Sequence, residues 1–194
     1  MLAKYIKMIA TSAKLITYSE FRQMEFDDND PYLYELINGI LMRKSAPKPR
    51  HQQISGNLND ALRSFVKKNN IGQIFYAPVD VFLTEYNVPQ PDLVYVSKEN
   101  EAIIDLDEGI LGVPDLVVEI ISPSSVRLDR VTKKDLYESF GVKEYWIIDP
   151  NNTSIEIHTL VEKNYKLHLF EAIEGKINSL VITGFEMELK DIFQ

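Results

Sequence analysis

The residues PDLVVEIISPSSVRLDRVTKKDLYESFGVKEYWIIDP, Pro114 to Pro150, set the architecture of the chain. They read as strand, turn, helix, strand. Leu116 to Ile121 is apolar except for Glu119. A carboxylate inside an apolar strand is costly to bury unless something neutralises it. The helix that follows is expected to start near Ser124 or Ser125 and to end before Gly141. At about 100° per residue, Val126, Asp129, Lys133, Tyr137 and Phe140 fall on one face. Lys133 therefore lies on the apolar side, whereas Lys134 shares the outer side with Arg127 and Glu138. The strand Glu144 to Ile148 returns beside the first. Glu119 and Lys133 are thus expected to meet over one sheet edge.

The chain has 194 residues, 45% of them hydrophobic and 26% charged. That suits one globular domain with a small extension. The expected division is an N-terminal arm, 1–16, and a single domain, 17–194. No apolar run is long enough to span a bilayer. The N-terminal stretch has scattered lysines and no clear small-residue cleavage site, so no signal peptide is expected. With no cysteine, disulfides and thiolate metal sites are excluded. The expected location is cytoplasmic, without a membrane partner.

A net charge of −8 argues against a simple nucleic-acid binder, which is usually basic. The charge is uneven, however. Arg43, Lys44, Lys48, Arg50, Arg63, Lys67 and Lys68 stand against Asp60 alone in their stretch. Such a strip is compatible with a phosphate-rich partner, and equally with a solvated helix face.

Outward from the opening stretch, Thr17-x-x-Glu20 forms a capping box, which predicts a short helix over Tyr18 to Met24. Asp27 to Pro31 reads as an acidic turn. YLYELI and ILMRK flank Asn38-Gly39, the strongest short hairpin signal. Glu35 shares a strand face there with Leu33 and Ile37. Ile54, Leu58, Leu62, Phe65 and Val66 give an amphipathic helix over Arg50 to Asn69. His51, near its start, reads as a capping or packing residue. His51, His158 and His168 show no metal-ligand spacing. Ile74 to Tyr76, Val79 to Thr84 and Asp92 to Val96 read as strands, with Asp92 at the mouth of the last. Ser97 to Gly109 reads as a short helix or loop. Asn151-Asn152 marks a turn before antiparallel strands at Ile155–Leu160 and Tyr165–Phe170. Short strands near Leu180 and a piece over Met187 to Phe193 close the chain.

Glu35, Asp92 and Glu119 thus stand in or at the ends of apolar strands, and Lys133 on an inward helix face. Taken singly, each has a structural reading. Asp92 caps a turn. Glu119 pairs with an arginine. Lys133 snorkels outward. Glu35 sits on an edge strand. If they converge, carboxylate oxygens suit Mg²⁺ or Mn²⁺, which lowers the pKa of a bound water and stabilises charge on phosphate. A neighbouring ammonium then orients or helps deprotonate that water. No nucleophile elbow, histidine-partnered serine or glycine-rich phosphate loop is present.

Pro91-Asp92 followed by Glu119 resembles the PD-(D/E)XK nuclease pattern, but the position two residues beyond the second acid is Ile121 instead of lysine. EIISPSS, DRVTKKDLY and GVKEYWIIDP, together with YELINGIL, resemble the Uma-type restriction endonuclease family from about Thr17 to Phe170. In that family the lysine is carried by the next helix. The resemblance implies Asp92 and Glu119 as metal ligands, Lys133 as the displaced lysine and Glu35 as a supporting acid. Asp129, Tyr137 and Tyr145 match recurring family positions without an assigned role. The wheel and the resemblance agree on Lys133 over Lys134.

The expected fold is α/β (α+β), a restriction-endonuclease-like mixed central sheet flanked by helices and carrying Glu35, Asp92, Glu119 and the Tyr145 strand. The expected activity is Mg²⁺-dependent (or Mn²⁺-dependent) hydrolysis of DNA phosphodiesters, with RNA or branched DNA as the alternative substrate. Lys48, Arg50, Arg63 and Lys67 are the candidate backbone contacts, and a double-strand cut implies a homodimer. The rival reading keeps the fold as a nucleic-acid-binding or protein-interaction module with a weak or inactive site.

Overall fold

The computed structural model describes residues 14–25 and 32–194. Residues 1–13 of the expected 1–16 arm and the acidic turn at Asp27–Pro31 lie outside the described residues. Helix α1, Tyr18–Phe21, carries both hydrogen bonds of the Thr17/Glu20 capping box and is shorter than expected. Strands β1, Tyr32–Ile37, and β2, Ile40–Ser45, pair antiparallel around Asn38-Gly39. Both turn residues have positive φ, at 52° and 71°, as the tight hairpin requires. Helix α2 runs Pro49–Asn69 and buries Ile54, Leu58, Leu62 and Val66.

The remaining strands are β3 (Gly72–Tyr76), β4 (Leu93–Ser97), β5 (Ile104–Asp105), β6 (Gly109–Ile110), β7 (Leu116–Ile120), β8 (Glu144–Asp149), β9 (Ser154–Val161), β10 (Asn164–Ala172), β11 (Lys176–Asn178) and β12 (Glu186–Glu188). The central sheet is six-stranded in the order β10-β9-β8-β7-β4-β3. β7 and β8 are parallel, and every other pair in it is antiparallel. The parallel pair is joined by the helical segment read from the sequence. It opens as a π turn, Leu128–Lys133, and continues as α3, Lys134–Phe140. Helix α4, Leu189–Phe193, follows β12.

Alternation along the strands sorts side chains onto two faces. Leu93, Tyr95, Leu116, Val118, Ile120, Trp146 and Ile148 pack against α2 and the C-terminal segment. Val117, Ile121, Tyr145 and Ile147 pack against Tyr137 of α3. Two expectations are corrected here. Glu35 lies on the separate β1–β2 hairpin, not in the central sheet. Val79–Thr84 forms no strand, because Val81 and Phe82 spend their N–H groups on the carbonyls of Pro89 and Ile110, one on each side.

The core makes a direct prediction. Leu58 is fully buried in the larger cluster. Leu58→Ala is expected to lower unfolding free energy by about 2–5 kcal/mol in urea titration, with little change in far-UV circular dichroism.

Candidate active site

Pro-Asp-Leu-Val occurs twice, at 91–94 and 114–117. The copies open β4 and β7, which pair antiparallel, so the aspartates lie at opposite ends of one ladder. Each caps its neighbour. Asp92 Oδ2 accepts the Ile120 N–H at 2.7 Å, and Asp115 Oδ2 accepts the Ser97 N–H at 2.8 Å. Asp115 is closed off by Lys143, whose Nζ stands 2.6 Å from Oδ1, and by Asn100 at 3.3 Å from Oδ2. Asp92 faces a different neighbourhood, the end of β7 that carries Glu119.

Glu119 is buried on the α3 face of the sheet. Its Oε1 accepts from Lys133 Nζ at 2.7 Å and from the Tyr137 hydroxyl at 3.0 Å. Lys133 has no exposed side-chain surface, and its Nζ also stands 2.8 Å from Glu35 Oε2 and 3.9 Å from Asp129 Oδ1. The π turn supplies both Asp129 and Lys133. The Tyr145 hydroxyl holds that turn by donating to the Asp129 carbonyl at 2.9 Å. Glu35 reaches in from the hairpin, where Leu36 bridges to Val88. Its Oε2 also accepts the Gln90 N–H at 3.1 Å. So Glu35, Glu119 and Lys133 come together as one ion cluster, drawn from hairpin, sheet and helix.

Two further residues enter the site: His51, read from the sequence only as a capping or packing residue, and Lys44, read only as part of the basic strip. His51 Nε2, from the first turn of α2, stands 3.3 Å from Asp92 Oδ2. Lys44 Nζ donates to the Gln90 carbonyl at 3.1 Å and stands 3.9 Å from Glu35 Oε2. The signals were a histidine two residues after a prolyl helix start and a lysine in a hairpin strand. Neither signal is specific without the contact. Of the candidate backbone contacts, Lys48 and Arg50 stand just before His51 at the start of α2. Arg63 and Lys67 lie along α2, roughly 18 and 24 Å away at 1.5 Å per residue. The basic strip is therefore divided between the site and the far end of the helix.

The cluster is short of positive charge. Burial pushes the Glu119 carboxyl up to about 8; the Lys133 ammonium offsets only part of that penalty, and Asp129 and Asp92 add smaller repulsions. Burial likewise raises Asp129. Burial works to raise Glu35 and Asp92 too, but Lys133 and Lys44 hold Glu35 below its ordinary value, and His51 and Lys44 hold Asp92 below its own. Burial opposes a charge on Lys133, yet Glu119, Glu35 and Asp129 together raise it, so it is a permanent ammonium. Among the described residues, Glu35 Oε1 is buried without a hydrogen-bond partner. An orphaned carboxylate oxygen beside under-neutralised carboxylates is the donor chemistry that a hard divalent cation fits. The described residues form no ready-made cage of histidine and carboxylate ligands, so a cation would share its shell with water or phosphate.

A mixed sheet with helices on both faces and an acidic end above its parallel strands defines a restriction-endonuclease-like α/β fold. The chain belongs to the Uma2 family, whose description is "Putative restriction endonuclease"; the family model matches residues 18–190. The fold is also that of a crystal structure described as a putative nuclease belonging to DUF820 from Anabaena variabilis. That chain is 20% identical, with a TM-score of 0.71 over 92% of this chain and 97% of the other. Among proteins of curated function, none matches the chain. No described helix is long and apolar enough to cross a membrane.

Two predictions follow from the electrostatics at the two ends of the ladder. Lys133→Met leaves Glu35 and Glu119 without their shared cation. It is expected to lower unfolding free energy by about 3–5 kcal/mol, measured in EDTA. At the other end, burial opposes the Asp115 charge, but Lys143 and the Ser97 N–H hold its carboxyl below the ordinary value. A folded pKa below the unfolded one means stability that is present above the unfolded value, about 3.9, and lost as pH falls through the folded value. Asp115→Asn should therefore lower the urea midpoint at pH 7, and the gap from wild type should close as pH drops below about 4.

Proposed function

We propose that this chain is a metal-dependent endonuclease that hydrolyses DNA phosphodiester bonds. The observation that carries the reading is the meeting of Asp92, Glu119, Glu35 and Lys133 at one end of the central sheet, in a cluster that lacks enough positive charge of its own. Asp92 and Glu119 are the ligands for Mg²⁺ or Mn²⁺, and Glu35 supports them. When bound, the cation lowers the pKa of a water and stabilises charge on the phosphate.

The chain's own groups have separate tasks. Lys133 is a fixed ammonium, so it orients and stabilises negative charge and does not take a proton. Gln90, through its N–H and carbonyl, sets Glu35 and Lys44 side by side. Lys44 is 25% exposed and presents a cation at the rim of the cluster. Lys48 and Arg50 extend that rim along the start of α2, where a phosphate backbone would be met first. Cutting both strands of a duplex calls for two such sites, which a symmetric homodimer supplies.

Cleavage of supercoiled and linear DNA in Mg²⁺, Mn²⁺ or EDTA tests the reading. Wild type should cut only with metal. Asp92→Asn and Lys133→Ala should each reduce cutting about 100-fold or more, because each removes charge stabilisation in a water-poor site. Cutting that survives both substitutions would move the chemistry elsewhere. DNA binding without cutting, equal in wild type and Lys133→Ala, would instead identify a binding module on the same fold.

A further inference from the structure

Each proposed ligand carboxylate is gripped through a single oxygen. Both donors to Glu119, Lys133 and the Tyr137 hydroxyl, fall on Oε1. Both contacts to Asp92, the Ile120 N–H and His51 Nε2, fall on Oδ2. Among the described residues, no hydrogen bond reaches Glu119 Oε2 or Asp92 Oδ1. One contact on a carboxylate oxygen leaves the group free to swing. Two contacts on the same oxygen fix its plane and turn the other oxygen in one direction.

The grips come from opposite faces of the sheet. Tyr137 lies four residues after Lys133, so both Glu119 donors project from one helix face. Its ring is fully buried and packs against Tyr145, centroid to centroid 5.2 Å. Lys133 alone is a weak anchor for Glu119, because Glu35 Oε2 shares it at 2.8 Å. Tyr137 has no such divided contact. His51 belongs to α2, which packs on the other face. It meets Asp92 where the strand ladder ends.

We propose that Tyr137 and His51 are positioning residues: each adds the second contact that fixes a carboxylate, so that Glu119 Oε2 and Asp92 Oδ1 are presented to one divalent cation. This rests on the metal-dependent reading above. Groups that hydrogen-bond metal ligands set ligand direction, and removing them typically costs 10–100-fold in metal affinity. A purely structural tyrosine would leave affinity unchanged. Tyr165 is such a comparison: its hydroxyl donates to the Val142 carbonyl at 2.9 Å, and its ring lies against Tyr145 on the same face.

Mn²⁺ binding to the full chain, followed by electron paramagnetic resonance of the free ion, separates the cases. Tyr137→Phe and His51→Ala should each weaken Mn²⁺ about 10-fold, and His51→Gln, which restores an N–H donor, should recover part of the loss. Tyr165→Phe should bind Mn²⁺ as wild type does, even where its melting temperature falls by as much as that of Tyr137→Phe. Saturating Mn²⁺ should restore much of the cleavage lost in Tyr137→Phe. Affinities for Tyr137→Phe and His51→Ala within about twofold of wild type would overturn the proposal, since the effect expected is tenfold or more. Failure of wild type to bind Mn²⁺ would remove the metal reading itself, and this role with it.

Discussion

The structure turns on one buried ammonium. Lys133 has no exposed side-chain surface and sits between Glu119 and Glu35 at 2.7 and 2.8 Å. A lysine in that position is tolerated only with carboxylates in direct contact, because an unpaired charge away from water costs several kcal/mol. Those carboxylates come from separate pieces of chain. Glu119 is fixed by β7, Glu35 by the β1–β2 hairpin, and Lys133 by the π turn ahead of α3. The hairpin is not part of the central sheet, so the ion cluster is one of the contacts that holds it there, beside the Leu36–Val88 bridge. The same cluster gathers more acidic than basic side chains, and on the metal-dependent reading proposed above a divalent cation would offset that imbalance.

The two Pro-Asp-Leu-Val segments show how little a motif decides without its surroundings. Both aspartates cap the neighbouring strand in the same way, at the two ends of one antiparallel ladder. At one end Lys143 and Asn100 complete Asp115, and the carboxylate is satisfied. At the other end, among the described residues, Asp92 Oδ2 meets the Ile120 N–H and His51, beside Glu119 and its lysine. Glu144 makes the same point within the core. It is as buried as Glu119, but Trp146, Ser179 and the Val181 N–H bond both its oxygens, so it fastens the C-terminal segment to the sheet. A buried acid signals chemistry only when its partners fall short.

Most of the fold was legible because its signals are local. The Asn-Gly hairpin, the Thr17/Glu20 cap, the 3.6-residue stripe of α2 and the strand-helix-strand unit around Glu119 each rest on neighbours in sequence. Lys133 was legible for the same reason: its helix face places it inward whether the turn is α or π. What was not legible depends on contacts between distant segments. His51 reaches Asp92 across 41 positions, and nothing in Pro-Arg-His announces it. Gln90 links Glu35 to Lys44 through backbone groups, which carry no residue signature. Val79–Thr84 has strand composition, but its N–H groups are spent on isolated bridges. The separation of Glu35 from the central sheet is likewise a matter of topology. The basic strip looked continuous because sequence does not register the length of α2.

The central claim is that Asp92 and Glu119 bind one divalent cation beside Lys133. Anomalous diffraction from crystals soaked in Mn²⁺ tests it most directly. A single strong peak in contact with Asp92 Oδ1 and Glu119 Oε2, lost in Asp92→Asn crystals, is the expected result. A peak at Asp115 or at another acidic patch, with none between Asp92 and Glu119, would contradict it.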